Sequence, residues 1–192
     1  MLQSKILTVC LLSALIISCR KTVDNPILLG REIFKDVSTT LMQTVAKKVN
    51  DEGAPNALLF CSTSANKLMS EKIDLWRKQV VEQHGFKDLK VSRKTLKPRN
   101  AANLATGEAE EILLSWENAK EATPTFREDN NLARVYMPIK IASPLCLACH
   151  GTSAEIQAET KVALAKAYPN DRATGYALGD LRGTMLLEFI RE

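Results

Sequence analysis

The 192-residue sequence is short of the residues that build most metal and disulfide sites: it has two histidines, His84 and His150, and five cysteines. A second C-x-x-C and any H-x-x-x-H are missing, which leaves a zinc site short of its usual four ligands. Past residue 19 the cysteines are Cys61, Cys146 and Cys149, an odd number that suits no closed disulfide framework. No apolar run reaches the roughly 20 residues that a bilayer span needs. Internal repeats, low-complexity tracts and Gly/Ser linkers are absent as well, so nothing marks a second folded domain. The formal net charge is +4 with acidic and basic residues interspersed, a balance that argues against a nucleic-acid partner.

What the N-terminus does have is one charge, Lys5, ahead of a twelve-residue apolar run from Ile6 to Ile17, with small Ser18 before Cys19. A positive start, a short apolar stretch and a small residue at the cut describe a secretory signal peptide over residues 1–18. Ile16-Ile17-Ser18-Cys19 further resembles a bacterial lipobox, in which the cysteine is lipidated and becomes the first residue of the mature chain. The alternative is an ordinary cleavage site beside a cysteine. With lipidation, residues 19–25 form a short tether, residues 26–192 the folded domain, and the protein is exported to the periplasm and held to a membrane by Cys19.

Cys146-Leu147-Ala148-Cys149-His150 is a C-x-x-C-H sequence. Two residues between the thiols let one turn of chain reach both vinyl groups of a porphyrin, and the adjacent histidine is then held over the iron at high effective concentration. One covalent haem c, bonded through Cys146 and Cys149 with His150 as an axial ligand, follows from that spacing. Half of a zinc site and a thioredoxin-type dithiol are the rival readings. Export favours haem, because c-type haem is attached outside the cytoplasmic membrane.

Along the chain, Asn25-Pro26 reads as an N-cap followed by proline at the first helical position. Leu29, Ile33, Val37, Leu41, Val45 and Val49 then repeat every four residues up to Gly53, which predicts a long amphipathic helix. A second helix is expected from Pro55 to His84-Gly85, with Cys61 on or beside its apolar face. Strand patterning follows around Lys87–Thr95, a helix over Glu108–Glu121, and an alternating strand through Val135, Met137, Ile139 and Ile141 that leads into the C-x-x-C-H motif. Ser153–Ala167 reads as helix and Gly183–Ile190 as strand. Helices first and strands scattered among later helices predict an α+β fold around an antiparallel sheet.

The motif sits three-quarters along the chain, unlike the N-terminal position usual in small helical cytochromes c. Pro98-Arg99-Asn100-Ala101-Ala102-Asn103, Pro138-Ile139, the Cys146–Gly151 segment, Tyr168-Pro169-Asn170-Asp171, Ala173-Thr174-Gly175-Tyr176 and Gly179-Asp180-Leu181-Arg182-Gly183 follow one another in an order similar to the PAS-like c-type haem family with His/Cys axial ligation, long catalogued as a domain of unknown function. The resemblance covers roughly residues 26 to 190. It implies a PAS-like antiparallel sheet flanked by helices, haem held against it, and a cysteine from an early helix as the second axial ligand, here Cys61. Related domains also occur within larger signalling proteins; in these 192 residues no kinase, cyclase or chemotaxis output follows, so a stand-alone domain is expected.

Among the remaining candidates, Arg93, Lys97 and Arg99 are suited to pair with haem propionates, with Arg99 favoured because it lies in the family-like motif; a solvated basic strand edge is the alternative. His84, at a helix end, is explained by the helix dipole without iron, and Met137, in an alternating strand, by core packing. Asp180 and Arg182 are expected to fix a loop, on glycines whose backbone angles other residues avoid. The function expected is electron transfer or redox or diatomic-gas sensing with an unidentified redox or signalling protein as partner. A haem enzyme with an open iron position, a peroxidase or small-oxide reductase, is the alternative.

Overall fold

A computed structural model describes residues 25–191. The signal segment and Cys19 lie outside the described residues.

The long first helix, α1 (Pro26–Glu52), starts where its caps are. The Asn25 side chain accepts a hydrogen bond from the Ile27 amide at 3.0 Å, and Pro26 fills the first position, where its missing N–H costs nothing. Gly53, at φ 83°, ends the helix. The four-residue stripe splits by function. Leu29, Ile33 and Val37 are buried in the main core, whereas Leu41, Val45 and Val49 are half-buried and line a cavity. At Gly30 the helix comes so close to the sheet that an added Cβ would lie 2.9 Å from Val135 Cγ1.

The expected second helix is two, α2 (Ala54–Thr63) and α3 (Ala65–His84), broken at Ser64. Ser62 and Thr63 both donate their hydroxyls to the Leu59 carbonyl at 2.9 Å, which competes with the helical ladder there. Asp36 accepts hydrogen bonds from Lys72 at 2.9 Å and from the Trp76 indole at 2.8 Å, tying α1 to α3.

The sheet comprises β1 (Asp88–Lys94), β2 (Thr125–Asp129), β3 (Leu132–Lys140) and β4 (Leu181–Ile190), in the order β1-β4-β3-β2 with every pair antiparallel. Alternation assigns its two faces. Ala133, Val135, Met137, Met185, Leu187 and Phe189 pack with α1 and α3, while Tyr136 and Leu186 pack with Ile112, Leu113 and Trp116 of α4 (Glu108–Ala119) on the other side. The fold is α+β, an antiparallel sheet between helices with a long N-terminal helix, as the sequence predicts. Strand β2 is not anticipated by the sequence pattern, because it is an edge strand with Arg127, Glu128 and Asp129 exposed and Phe126 as its contribution to the core. The helix expected from Ser153 begins later, as α6 (Ala158–Ala167), because the Glu155 carboxylate turns back to accept from both the amide and the hydroxyl of Thr152 at 2.7 Å.

Candidate functional site

Strand β3 delivers the chain to Pro144–His150, which forms the short helix α5 carrying the C-x-x-C-H motif. One helical turn puts Cys146, Cys149 and His150 on the same cavity wall. The orientation of α5 is fixed by a clamp from two distant loops. Gly175 and Tyr176 donate their amides to the carbonyls of Gly151 and His150 at 2.8 and 3.0 Å, and the Arg172 amide reaches the Pro98 carbonyl at 3.1 Å. Arg99 sits at the centre: its Nε donates to Asp171 Oδ2 at 3.0 Å and its Nη2 to the carbonyls of Cys149 at 2.5 Å and Ala173 at 3.3 Å. Asp171 in turn accepts the Ala173 amide at 2.7 Å.

That arrangement determines the state of His150. Its Nδ1 lies 2.7 Å from the Ala173 carbonyl, and a carbonyl only accepts, so the proton is on Nδ1 and Nε2 keeps its lone pair. Burial pushes the imidazole down to about 3; the Arg99 and Arg182 cations add to the effect, and the bond to Ala173 opposes it. A neutral histidine with one nitrogen anchored to the backbone and the other free is the form that ligates metals. Tyr176 packs edge-on against the ring, with centroids 6.3 Å apart.

The cavity has about 980 Å³ of empty space counted out to its open mouth. Leu41, Met42, Val45 and Val49 from α1, Ala57, Leu58 and Cys61 from α2, and Leu145, Cys146, Cys149 and His150 line it, with Arg93, Arg99 and Arg182 bringing positive charge and Tyr168, Asn100 and Asn103 further polar groups. The three thiols are free. Burial is the main cause that raises the Cys61 and Cys149 thiols above the ordinary range; the neighbouring Cys149 adds to it at Cys61, and arginines oppose it at both. Among the described residues no group of three or more His, Cys, Asp or Glu side chains converges as a chelating cluster, so the zinc reading has no ligand set there.

Arg93 and Arg99 both reach the cavity, with different prospects. Arg99 is committed to Asp171 and two carbonyls, whereas half-buried Arg93, its charged form disfavoured by burial, has one side-chain hydrogen bond, to Asn66 at 3.3 Å. Among the described residues lining the cavity, Arg93 is therefore the arginine least committed to protein partners, and Arg99 holds the motif. Lys97 does not line the cavity; its Nζ lies over the Tyr176 ring, 5.1 Å from the centroid. Met137 is packed in the core, and His84 ends α3 away from the cavity. Asp180 does fix its loop, accepting the Ala177 amide at 2.7 Å. Arg182 does more than fix a loop, for it lines the cavity while donating to Thr95 Oγ1 at 2.8 Å. Asp171, Tyr176 and Met42 are the site residues the sequence did not single out; the first two lay within the recognised motifs, and nothing in the pattern marked Met42.

The model of the Tll0287-like family matches residues 21–189. The crystal structure of the cyanobacterial haem-protein Tll0287 is similar to this chain at TM-score 0.55 and 22% identity, covering 88% of this chain and 97% of that one. At that identity the likeness speaks for the fold. No curated protein matches the chain.

Proposed function

The chain belongs to the Tll0287-like family, and from that premise we propose that it is an exported haem c protein that transfers electrons or reports redox state or a diatomic gas. The observation that carries this reading is the meeting, in one mainly apolar cavity, of Cys146, Cys149 and a His150 whose Nε2 lone pair is left free, with Cys61 as a further sulfur on the same lining. Haem fits that donor set. Cys146 and Cys149 would hold it covalently, His150 and Cys61 would ligate its iron, and Arg93 would pair with a propionate. Bound there, haem supplies a one-electron iron(III)/iron(II) couple.

The chain's own residues account for the rest. The Arg99 and Asp171 clamp holds α5 against the cavity, the Ala173 carbonyl keeps His150 in its ligating tautomer, and Leu41, Val45, Val49 and Leu58 exclude water. Were protein side chains to hold the iron on both sides, a substrate would have to displace one to reach it, which favours electron transfer or sensing over a peroxidase or oxide reductase. Export and a lipid anchor at Cys19 belong to the same reading, with a redox or signalling protein as the partner at the membrane surface.

The test is an absorption spectrum of oxidised and reduced protein with and without carbon monoxide, combined with acid-acetone extraction. Covalent haem stays with the denatured chain and is released only when Cys146 and Cys149 are both serine. Haem extracted from the wild type contradicts the proposal.

A further inference from the structure

Once Cys146 and Cys149 are taken up by the porphyrin, four side chains among the described residues lining the cavity belong to types that bond haem iron: His150, Cys61, Met42 and Tyr168. A porphyrin iron has two axial positions, so this set exceeds the positions it can fill; a Tyr168 phenolate, anionic like thiolate, would share the preference for iron(III), which leaves the Met42 thioether as the neutral sulfur. The geometry points to Met42 as an alternative to Cys61, taking over the iron position opposite His150 when the iron is reduced. This rests on the haem reading above.

Met42 shares one helical face of α1 with Val45 and Val49, at i, i+3 and i+7, and all three line the cavity with Cys61. Helix α1 packs on α2, which carries Cys61, and a single residue, Gly53, joins the two. The side chain is 39% exposed, whereas Met69, Met137 and Met185 are 7%, 5% and 2% exposed in the core, so Met42 is not locked by packing. The other positions of α1 that line the cavity, Leu41, Val45 and Val49, are branched aliphatics. An unbranched thioether with three rotatable bonds moves its sulfur over several ångströms without moving the backbone.

The two sulfurs suit different oxidation states. Cysteine thiolate is anionic and stabilises iron(III); the methionine thioether is neutral and raises the potential, favouring iron(II). A one-electron donor, a redox protein or dithionite, reduces the iron. Cys61 then leaves with the electron pair of its iron–sulfur bond and takes a proton from solvent, and Met42 Sδ donates a lone pair in its place. Oxidation by one electron reverses each change. The exchange transfers the tether from α2 to α1, which gives redox state a mechanical consequence in the fold, and it leaves a diatomic gas to compete with Met42.

The experiment compares haem-loaded wild type with Met42→Leu, Cys61→Ala and the Cys61→Ala/Met42→Leu double variant. Leucine is nearly isosteric at a partly exposed position and should leave folding and the ferric thiolate resonance intact. Reduced wild type is expected to be low-spin and reduced Met42→Leu high-spin, with carbon monoxide binding faster by at least about tenfold, the factor lost when a site is nine-tenths occupied by an internal ligand. Oxidised Cys61→Ala is expected to gain the near-infrared methionine-to-iron(III) band, and the double variant to lack it. Wild-type spin state and carbon monoxide rate in Met42→Leu, or a band surviving in the double variant, overturns this inference alone. A wild type that loses haem to acid extraction, or lacks the ferric thiolate resonance, overturns the haem reading and this inference with it.

Discussion

Arg99 and Asp171 form an ion pair of 3.0 Å with 11% and 10% of their side chains exposed, and it closes the clamp that holds α5 against the cavity. Removing one partner of such a pair leaves a desolvated charge without compensation, at a cost of about 3–5 kcal/mol. Asp171→Asn is therefore expected to lower the unfolding free energy by an amount in that range in a denaturant titration followed by circular dichroism. The double variant Arg99→Met/Asp171→Leu should recover part of the loss. A change below about 1 kcal/mol, the level of an exposed pair, contradicts the clamp.

The depressed pKa of His150 makes a signed prediction for the chain expressed without haem. Between its ordinary value of 6.5 and about 3, the unfolded state binds a proton at His150 that the folded state refuses. Stability from this group is complete above pH 6.5 and is lost as the pH falls, by up to roughly 1.4 kcal/mol per pH unit. Replacing His150 by Gln should flatten the stability profile between pH 6 and about 4 relative to wild type; equal slopes in the two proteins contradict the burial of the ring.

Much of this was legible in the sequence because the signals were local. Asn25-Pro26 and Gly53 bound α1 where caps require, and the alternation in Val135, Met137 and Ile139 is that of a strand. Cys146, Cys149 and His150 share a wall because one helical turn brings them together. The rest depended on what other elements bring. Strand β2 has the composition of a loop and becomes a strand through pairing with β3. The break at Ser64 comes from hydroxyls competing for one carbonyl, inside a pattern that otherwise continues as helix. Met42 falls one residue past the Leu41 position of the apolar stripe, and its cavity wall exists only once α2 is packed against α1. The motif favoured Arg99 over Arg93 as a propionate partner, and only the bonds to Asp171, Cys149 and Ala173 reveal that Arg99 is already committed.

Ser18-Cys19 after the short apolar run predicts a lipidated N-terminus. The mature protein is expected to partition into detergent phase, because several acyl chains together hold a protein where one gives marginal binding. Intact mass should show a start at Cys19 with added acyl mass, and Cys19→Ala should move the protein to the aqueous phase. An unmodified Cys19 or a different mature start contradicts the anchor.

Cys61 is expected to bond the iron opposite His150, and the midpoint potential and ferric electron paramagnetic resonance of Cys61→Ala and Cys61→Ser decide it. Each tenfold preference for iron(III) lowers a one-electron midpoint by about 59 mV, so a hundredfold preference conferred by thiolate lowers it by roughly 120 mV. Both variants are expected to lose the low-spin thiolate resonance and to shift to a higher potential by that order. A resonance and potential unchanged in both would contradict the account.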